Sequence, residues 1–248
     1  MKLAVVGTGY VGLVTGSCLA NFGNDVVCVD VDAEKVETLK GGRVPFFEPG
    51  LSDVMGANLA SGRLDFTTDL ASAVNGSEMV FITVGTPPDA TGSADLSTVW
   101  EVARSVGQCM EEAKIVVTKS TVPVGTTLKV KALIREELSA RGLKIPFEVA
   151  NNPEFLREGS AVLDFMNPDR VVVGTESDKA REALSGLYSF LDEEKLLFMD
   201  IPSSEMTKYT ANALLATKIS FMNEIAGVCE SIGADVEKVR LGIGSDSR

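Results

Sequence analysis

The sequence contains no histidine at any of its 248 positions. Histidine is the side chain whose ordinary pKa best suits proton transfer near neutral pH, so acid–base chemistry here must use Lys, Glu, Asp, Cys or water. Catalysis by a Ser-His-Asp triad is therefore excluded by composition alone.

Long apolar runs are missing as well. No stretch reaches the ~20 apolar residues that a membrane-spanning helix needs. The first residues include Gly7, Thr8 and Gly9, at positions where a signal peptide is continuously apolar. We therefore predict a cytoplasmic protein without a membrane partner.

Cysteine is scarce, and its spacing indicates neither a disulfide framework nor a metal site. The four cysteines, Cys18, Cys28, Cys109 and Cys229, include no C-x-x-C pair and lie among aliphatic residues. A thiol in such surroundings behaves as a small buried hydrophobe. We predict no bound metal.

Positive charge is in deficit, with 23 Lys and Arg against 35 Asp and Glu and a formal net charge of −12. Such a balance argues against nucleic acid as a partner, so an anionic ligand must find positive charge supplied locally. The hydrophobic content of 45% excludes wholesale disorder. The length suffices for one large domain, or for one domain plus part of another.

Short β-branched runs alternate with segments of helical periodicity over the first 200 residues. The predicted strands cover residues 3–6, 26–29, 79–84, 115–118, 147–150, 170–173 and 196–199. Continuous apolar strands separated by helices are typical of a parallel sheet that is covered on both faces. We therefore predict an α/β fold with a doubly wound, mostly parallel Rossmann-type sheet in a domain over residues 1–200.

A single helical pattern then runs over residues 203–232, with Ser203 as a candidate N-cap. Its apolar positions follow two faces, so the helix requires partners on both sides. We predict that it connects domains or forms a homodimer interface, and that residues 201–248 begin a central helical domain. We expect residues 241–248 to form a glycine-containing loop and, because little sequence follows the helix, the chain to be a fragment of a longer protein.

The motif GTGYVG follows the first predicted strand and opens a helix. Gly7 permits a tight turn, Gly9 lets the backbone approach a pyrophosphate, and Gly12 allows the helix to pack closely on the strand. The amides of Tyr10 and Val11, at the positive end of the helix dipole, would face the phosphates. This context favours a dinucleotide site over the alternative of an ordinary tight turn.

Asp30 ends the second predicted strand, 18 residues after Gly12. Its carboxylate is placed to accept hydrogen bonds from ribose hydroxyls and to repel a 2′-phosphate, so NAD is preferred over NADP. Asp32 is a competing candidate that we expect on the other face of the strand. Lys35 is predicted to place positive charge near the adenosine, with a solvated lysine as the alternative.

Two further loops leave predicted strands at residues 84–88 and 119–126. Ligands of such sheets lie beyond the carboxyl ends of the strands. We expect the hydroxyls and prolines of these loops, including Thr86 and Thr121, to form a polar rim at the nicotinamide end of the site.

Two pairs of polar residues indicate a candidate substrate site. If the residues after Pro153 form a helical turn, Glu154 and Glu158 lie on one face, and two like charges there are unfavourable unless a ligand uses them. A solvated acidic face is the alternative. Lys208 and Asn212 are also four residues apart, on the apolar stripe of the long helix, where a bound anionic or hydroxylated ligand would give them partners.

Several of these segments, in fixed order, resemble the UDP-glucose/GDP-mannose dehydrogenase family, in its UDP-glucose 6-dehydrogenase branch. The resemblance extends over essentially the whole chain, and the ending GIGSDSR favours the UDP-glucose branch over the GDP-mannose branch. The motifs are GTGYVG with Asp30, PFFEPGL at 45–51, VGTPP at 84–88, KSTVPVGT at 119–126, NPEFLREG at 152–159 and SSEMTKYTANALLATKISFMNE at 203–224.

The resemblance implies oxidation of UDP-glucose at C6 to the carboxylate of UDP-glucuronate, with two NAD⁺ and one water. In that family a cysteine captures the intermediate aldehyde, a second hydride transfer gives a thioester, and water hydrolyses it. The residues that the resemblance assigns to NAD are Val11, Asp30, Lys35, Thr86, Thr121 and Glu158. Those that it assigns to the substrate are Glu154, Phe155, Leu156, Arg157, Glu158, Lys208 and Asn212. Catalytic roles are implied for Glu154, Lys208, Asn212 and Thr121.

Among these, Glu154 would be the base or water positioner in thioester hydrolysis. Lys208 would stabilise oxyanion character at C6 or tune local proton transfers, and Asn212 would bond the same oxygen.

One departure from the family pattern limits these expectations. The family's nucleophilic cysteine lies in a GGSCFPKD-type loop that this sequence does not contain, and none of the four cysteines has that context. We therefore expect the chain to bind NAD⁺ without completing the oxidation. Two alternatives remain: a two-electron hydroxyacid or sugar-acid dehydrogenase, and a non-catalytic NAD-binding module that dimerises through the long helix.

Overall fold

The computed structural model describes residues 1–246, which contain eight strands and ten α-helices. The chain divides into two compact units, Met1–Met206 and a second that begins at Thr207. The strands are β1 (Lys2–Val6), β2 (Asp25–Val29), β3 (Leu64–Thr67), β4 (Met79–Ile82), β5 (Lys114–Thr118), β6 (Phe147–Asn151), β7 (Val171–Gly174) and β8 (Leu196–Met199).

Helices connect the strands in the first unit, with two of them between β2 and β3. They are α1 (Tyr10–Asn21), α2 (Ala33–Lys40), α3 (Leu51–Ala60), α4 (Leu70–Asn75), α5 (Ser97–Cys109), α6 (Thr126–Ala140), α7 (Ala161–Met166) and α8 (Asp178–Leu187), followed by α9 (Ile201–Ile232) and α10 (Val236–Gly244). A 3₁₀ turn, Glu193–Lys195, precedes β8.

All eight strands form one sheet in the order β3-β2-β1-β4-β5-β6-β7-β8. Pairing is parallel throughout except between β6 and β7, which meet antiparallel at Asn151 and Gly174. The chain reverses direction across the sheet between β1 and β4, which is the point where ligands bind in doubly wound sheets. The predicted fold class, a mostly parallel Rossmann-type sheet followed by a long helix, is confirmed.

The strands are apolar on both faces because helices cover both faces of the sheet. In β1, Leu3 and Val5 belong to one buried core, and Ala4 and Val6 belong to the other. This arrangement explains why the strands appear in the sequence as continuous apolar runs rather than as alternating ones.

Strand β3 was missed by the sequence prediction. It is only four residues long, and it alternates buried Leu64 and Phe66 with exposed Asp65. It forms because β2 offers a parallel edge, with Val26 opposite Leu64. Such pairing at an edge is a tertiary effect that a four-residue pattern does not reveal.

Helix α9 begins at Ile201, two residues before the predicted start. The predicted Ser203 cap is wrong, because Asp200 accepts hydrogen bonds from the Ser203 amide and hydroxyl, both at 2.8 Å. Pro202 fits the first turn, where its missing N–H costs no helix bond.

The loop expected over residues 241–248 is also wrong in its first part, because α10 extends to Gly244. Asp235 caps this helix by accepting from the Glu237 and Lys238 amides. The last two residues of that segment, and of the predicted domain over residues 201–248, lie outside the described residues.

The apolar stripe of α9 was predicted to be buried, but much of it is exposed. Leu215 and Ile219 are 59% and 56% exposed. The described part of the second unit consists of the rest of α9 and α10, which are too few elements to cover two apolar faces. Within residues 1–246, no helix is long and apolar enough to cross a membrane.

Candidate functional site

The glycine turn after β1 has the geometry that its three glycines require. Gly7 has a φ of +99°, a conformation that side chains disfavour. A Cβ on Gly12 would lie 1.8 Å from the Gly7 carbonyl oxygen, so only glycine allows α1 to pack against the turn. A Cβ on Gly9 would meet no atom within 4 Å, so the backbone there borders open space.

The N-terminus of α1 faces this turn without a side-chain cap from the described residues. The amides of Tyr10 and Val11 open the helix, where the first N–H groups have no partner within the helix. An uncapped helix start beside an open glycine has the amides and the dipole orientation that suit an anionic group.

Asp30 lies at the end of β2 and is tied to the glycine turn. One carboxylate oxygen accepts from the Thr8 amide at 3.0 Å, the Thr8 hydroxyl at 2.6 Å and the Lys35 ammonium at 2.8 Å. Burial raises the pKa of Asp30, but the bonds from Lys35 and Thr8 outweigh it and lower the pKa to about 2. Asp30 is therefore a fixed anion, and Lys35 is its ion-pair partner rather than a solvated lysine.

Asp32 has a different role from Asp30. Its side chain accepts from the Lys35 amide at 3.1 Å and caps α2. This contact accounts for the second acid of the pair as a helix cap.

Hydroxyl groups join the loop that follows β4 to the glycine turn after β1 and to the loop that follows β5. Thr83 donates to the Gly7 carbonyl at 2.8 Å, and Ser120 donates to the Val84 carbonyl at 2.6 Å. Thr86 donates to the Thr121 carbonyl at 2.7 Å. The structure thus brings the two predicted residues of the polar rim into direct contact.

The segment after Pro153 is not the helical turn that we considered, because residues 152–157 have no regular structure. Glu154 accepts from the Leu156 amide at 2.8 Å. Arg157 is engaged by Asp164, with contacts of 3.0 and 2.6 Å to its guanidinium. Helical spacing fails here because this segment is held by local side-chain bonds instead.

The other two predicted residues of this segment pack against their neighbours. The guanidinium of Arg170 lies 4.0 Å from the centre of the Phe155 ring. Leu156 packs against the core on one face of the sheet. Both contacts fix the segment that carries Glu154 and Glu158.

A buried polar network holds the start of this segment. Asn152 accepts from the Lys119 ammonium at 3.0 Å and from the Tyr188 hydroxyl at 2.6 Å, and its own amide donates to Val172 at 2.8 Å. These bonds connect the loop after β6 to the loop after β5, so the two candidate site loops form one rigid structure.

Two buried glutamates were not singled out from the sequence as site residues. Glu205 accepts from the Gly125 amide at 2.6 Å and the Thr127 amide at 2.8 Å, so it caps α6. Glu48 accepts from the Tyr10 hydroxyl and from the Gly159 and Ala161 amides. The only signal for Glu48 was its place in the PFFEPGL motif.

Lys208 and Asn212 lie one turn apart on α9, within the second compact unit. Lys208 is buried and Asn212 is exposed. Their spacing on one helix is as predicted, and their roles remain predictions.

Comparison with known proteins identifies the domain that carries this site. Residues 1–192 match the NAD binding domain of the UDP-glucose/GDP-mannose dehydrogenase family. The chain belongs to this family. Residues 202–248 match the family's central domain, so the resemblance inferred from the motifs is confirmed.

Relatives within the UDP-glucose/GDP-mannose dehydrogenase family match the whole chain. UDP-glucose 6-dehydrogenase of Pseudomonas aeruginosa is 51% identical over 100% of this chain and 55% of its own length. UDP-glucose 6-dehydrogenase TuaD of Bacillus subtilis is 48% identical, over 100% of this chain and 53% of its own. The chain therefore spans about half the length of the curated relatives it matches.

A solved structure of the same family has the same fold. The UDP-glucose dehydrogenase of Pyrobaculum islandicum is 42% identical with a TM-score of 0.92, over 99% of this chain and 57% of that one. NAD, the predicted cofactor, is the ligand that the description of the family's first domain names. The open space at Gly9, the uncapped start of α1 and the acid at the end of β2 fit that dinucleotide.

Proposed function

We propose that this chain binds NAD⁺ and supplies the cofactor-binding part of a UDP-glucose 6-dehydrogenase. One observation carries the cofactor assignment: the open, uncapped start of α1 adjoins the fixed carboxylate of Asp30. Two proteins named UDP-glucose 6-dehydrogenase are 51% and 48% identical to this chain over its whole length, and this supports the substrate assignment. The product would be UDP-glucuronate.

Different residues would bind different parts of the cofactor. The amides of Gly9, Tyr10 and Val11 would bind the pyrophosphate, because they lie at the positive end of α1. Asp30 would accept from the adenosine ribose, and Lys35 would add positive charge beside it. When bound, NAD⁺ supplies a hydride acceptor.

At the nicotinamide end, the site would use Thr86, Thr121 and Glu158. The bond from Thr86 to the Thr121 carbonyl fixes the two loops relative to one another. Preformed loops of this kind orient a bound ring at little entropic cost.

The resemblance assigns substrate contacts to residues 154–158 of the first unit and, separately, to Lys208 and Asn212 of α9. A carboxylate such as Glu154 can accept a proton from water, and its bond to the Leu156 amide fixes its position. A lysine ammonium and an asparagine amide are both donors, so Lys208 and Asn212 would stabilise negative charge on the substrate oxygen.

Binding of UDP-glucose to the Lys208→Ala variant tests the substrate assignment. Saturation-transfer NMR in the presence of NAD⁺ should show UDP-glucose signals with the unmodified chain and their loss in Lys208→Ala. Lys218→Ala removes an exposed lysine from the same helix and should bind normally. Equal binding by both variants would contradict the proposed role of Lys208 and favour the non-catalytic module.

The exposed apolar residues of α9 support a second part of the proposal, a homodimer through the long helix. They include Leu214, Leu215, Ile219, Phe221, Val228 and Ile232, each more than half exposed. Many exposed apolar residues along one helix favour an interaction surface. Light scattering should give a dimer mass that Ile219→Glu reduces to that of a monomer, whereas a monomer mass for the unmodified chain would contradict this assignment.

A further inference from the structure

Glu48 is a buried acid that the proposed function does not use. Its side chain belongs to a residue that is only 5% exposed, in the loop between α2 and α3. Burying a charged group away from water costs free energy unless hydrogen-bond donors replace the water molecules. The hydrogen-bond partners of Glu48 therefore indicate the role of its side chain.

Three donors from two distant segments converge on this carboxylate. One oxygen accepts from the Tyr10 hydroxyl and from the Gly159 amide at 2.8 Å, and the other accepts from the Ala161 amide at 2.8 Å. Burial raises the pKa of Glu48, but the bonds from Tyr10, Gly159 and Ala161 outweigh it and lower the pKa. The group is thus an anion with both oxygens engaged.

The main chain around Glu48 is fixed as well. Its carbonyl accepts from the Leu51 amide at 3.2 Å, at the start of α3. The neighbouring Phe46 ring lies 5.1 Å from the ring of Tyr10, centre to centre. The backbone at Glu48 is therefore fixed, so its carboxylate can fix the position of the groups that donate to it.

The two segments that Glu48 connects each carry a part of the proposed cofactor site. Tyr10 is the first residue of α1, whose amides are assigned to the pyrophosphate in the proposed function, and Gly159 directly follows Glu158. Tyr10 also donates to the Arg157 carbonyl at 3.4 Å.

We infer that Glu48 is a positioning residue, which fixes the loop at 157–161, and with it Glu158, against the first turn of α1. The inference rests on the proposed function, because Glu158 is there assigned to NAD⁺. A carboxylate is required, since both of its oxygens accept. The amide of glutamine has only one accepting oxygen, and its NH₂ would face an N–H donor.

The test combines backbone hydrogen exchange with NAD⁺ binding in Glu48→Gln. We expect the Gly159 and Ala161 amides to exchange about tenfold faster or more, and the Kd for NAD⁺ to rise by about tenfold. Tyr10→Phe removes one donor, leaves the fold intact and should give a smaller change in both measurements. Glu205→Gln is the matched control, because it weakens another buried carboxylate but should accelerate exchange only around Gly125 and Thr127.

A double-mutant cycle separates positioning from a general loss of structure. If Glu48 acts through Glu158, the Glu48→Gln substitution should not raise the Kd further in a Glu158→Gln background. Additive effects, unchanged exchange at Gly159 and Ala161, or equal acceleration there by Glu205→Gln would each overturn the inference. Absence of NAD⁺ binding by the unmodified chain contradicts the proposed function instead, and the exchange rates then decide whether Glu48 holds the loop.

Discussion

Asp30 and Asp32 lie two residues apart after β2, yet they have different partners. Asp30 bonds Thr8 and Lys35 at the glycine turn, whereas Asp32 caps α2. The charge of each residue is the same, so the difference in role comes from position alone. Substituting each acid by its amide isolates that difference.

The Asp30→Asn substitution should weaken NAD⁺ binding by about tenfold or more, because charge-assisted hydrogen bonds contribute ~1.5–3 kcal/mol. It should also reduce the preference for NAD⁺ over NADP⁺, since a neutral amide no longer repels the 2′-phosphate. Asp32→Asn is the control and should change neither, because asparagine caps helices as well as aspartate does. Kd values for both cofactors check this, and a larger effect from Asp32→Asn would reverse the assignment.

The tyrosine hydroxyls give a second prediction at the residue scale. Burial raises the pKa of Tyr10, Tyr188 and Tyr209 above the ordinary value, and the Glu48 carboxylate raises that of Tyr10 further. At about pH 10, where free tyrosine is half ionised, the folded chain should show less phenolate absorbance than the chain in guanidinium chloride, which should show half of the full signal.

The sign of the linked stability effect follows from these raised pKa values. The protonated hydroxyls stabilise the fold fully below about pH 10, and this contribution is lost as the pH rises further. Equal phenolate absorbance of the folded and the unfolded chain at about pH 10 would contradict the raised pKa values of these hydroxyls.

At the scale of elements, Gly9 and Gly12 form a natural pair of opposite tests. Gly12→Ala should destabilise the fold by about 3 kcal/mol, because the added methyl overlaps the Gly7 carbonyl. Gly9→Ala should change the free energy of unfolding by no more than about 1 kcal/mol, since a Cβ there meets nothing, yet it should abolish NAD⁺ binding. Urea unfolding and calorimetry check both, and normal NAD⁺ binding by Gly9→Ala would exclude the pyrophosphate from this turn.

The elements also show how far the sequence predicts the structure. The glycine turn and Asp30 could be predicted because each depends on local backbone requirements within one β-α-β unit. The role of Glu48 could not, because its partners Gly159 and Ala161 lie 111 and 113 residues away. The segment after Pro153 was mispredicted for a different reason, because a local bond between Arg157 and Asp164, seven residues apart, replaces the helical turn expected from spacing.

At the scale of the whole molecule, the chain carries a net charge of −12 and yet has the NAD binding domain of its family. The structure resolves this contrast locally, because the start of α1 and the ammonium of Lys35 are the positive groups beside the turn. The negative charge on the rest of the molecule disfavours the binding of polyanions such as nucleic acids. Binding of NAD⁺ should therefore depend on the geometry of one turn rather than on net charge.

Calorimetric titration of the purified chain with NAD⁺ and NADP⁺ tests this account most directly. We predict saturable heat with NAD⁺, at least about tenfold weaker binding of NADP⁺, and loss of the NAD⁺ heat in Gly9→Ala. A folded chain that gives no heat with NAD⁺ at millimolar concentration, or that binds both cofactors equally, would contradict it.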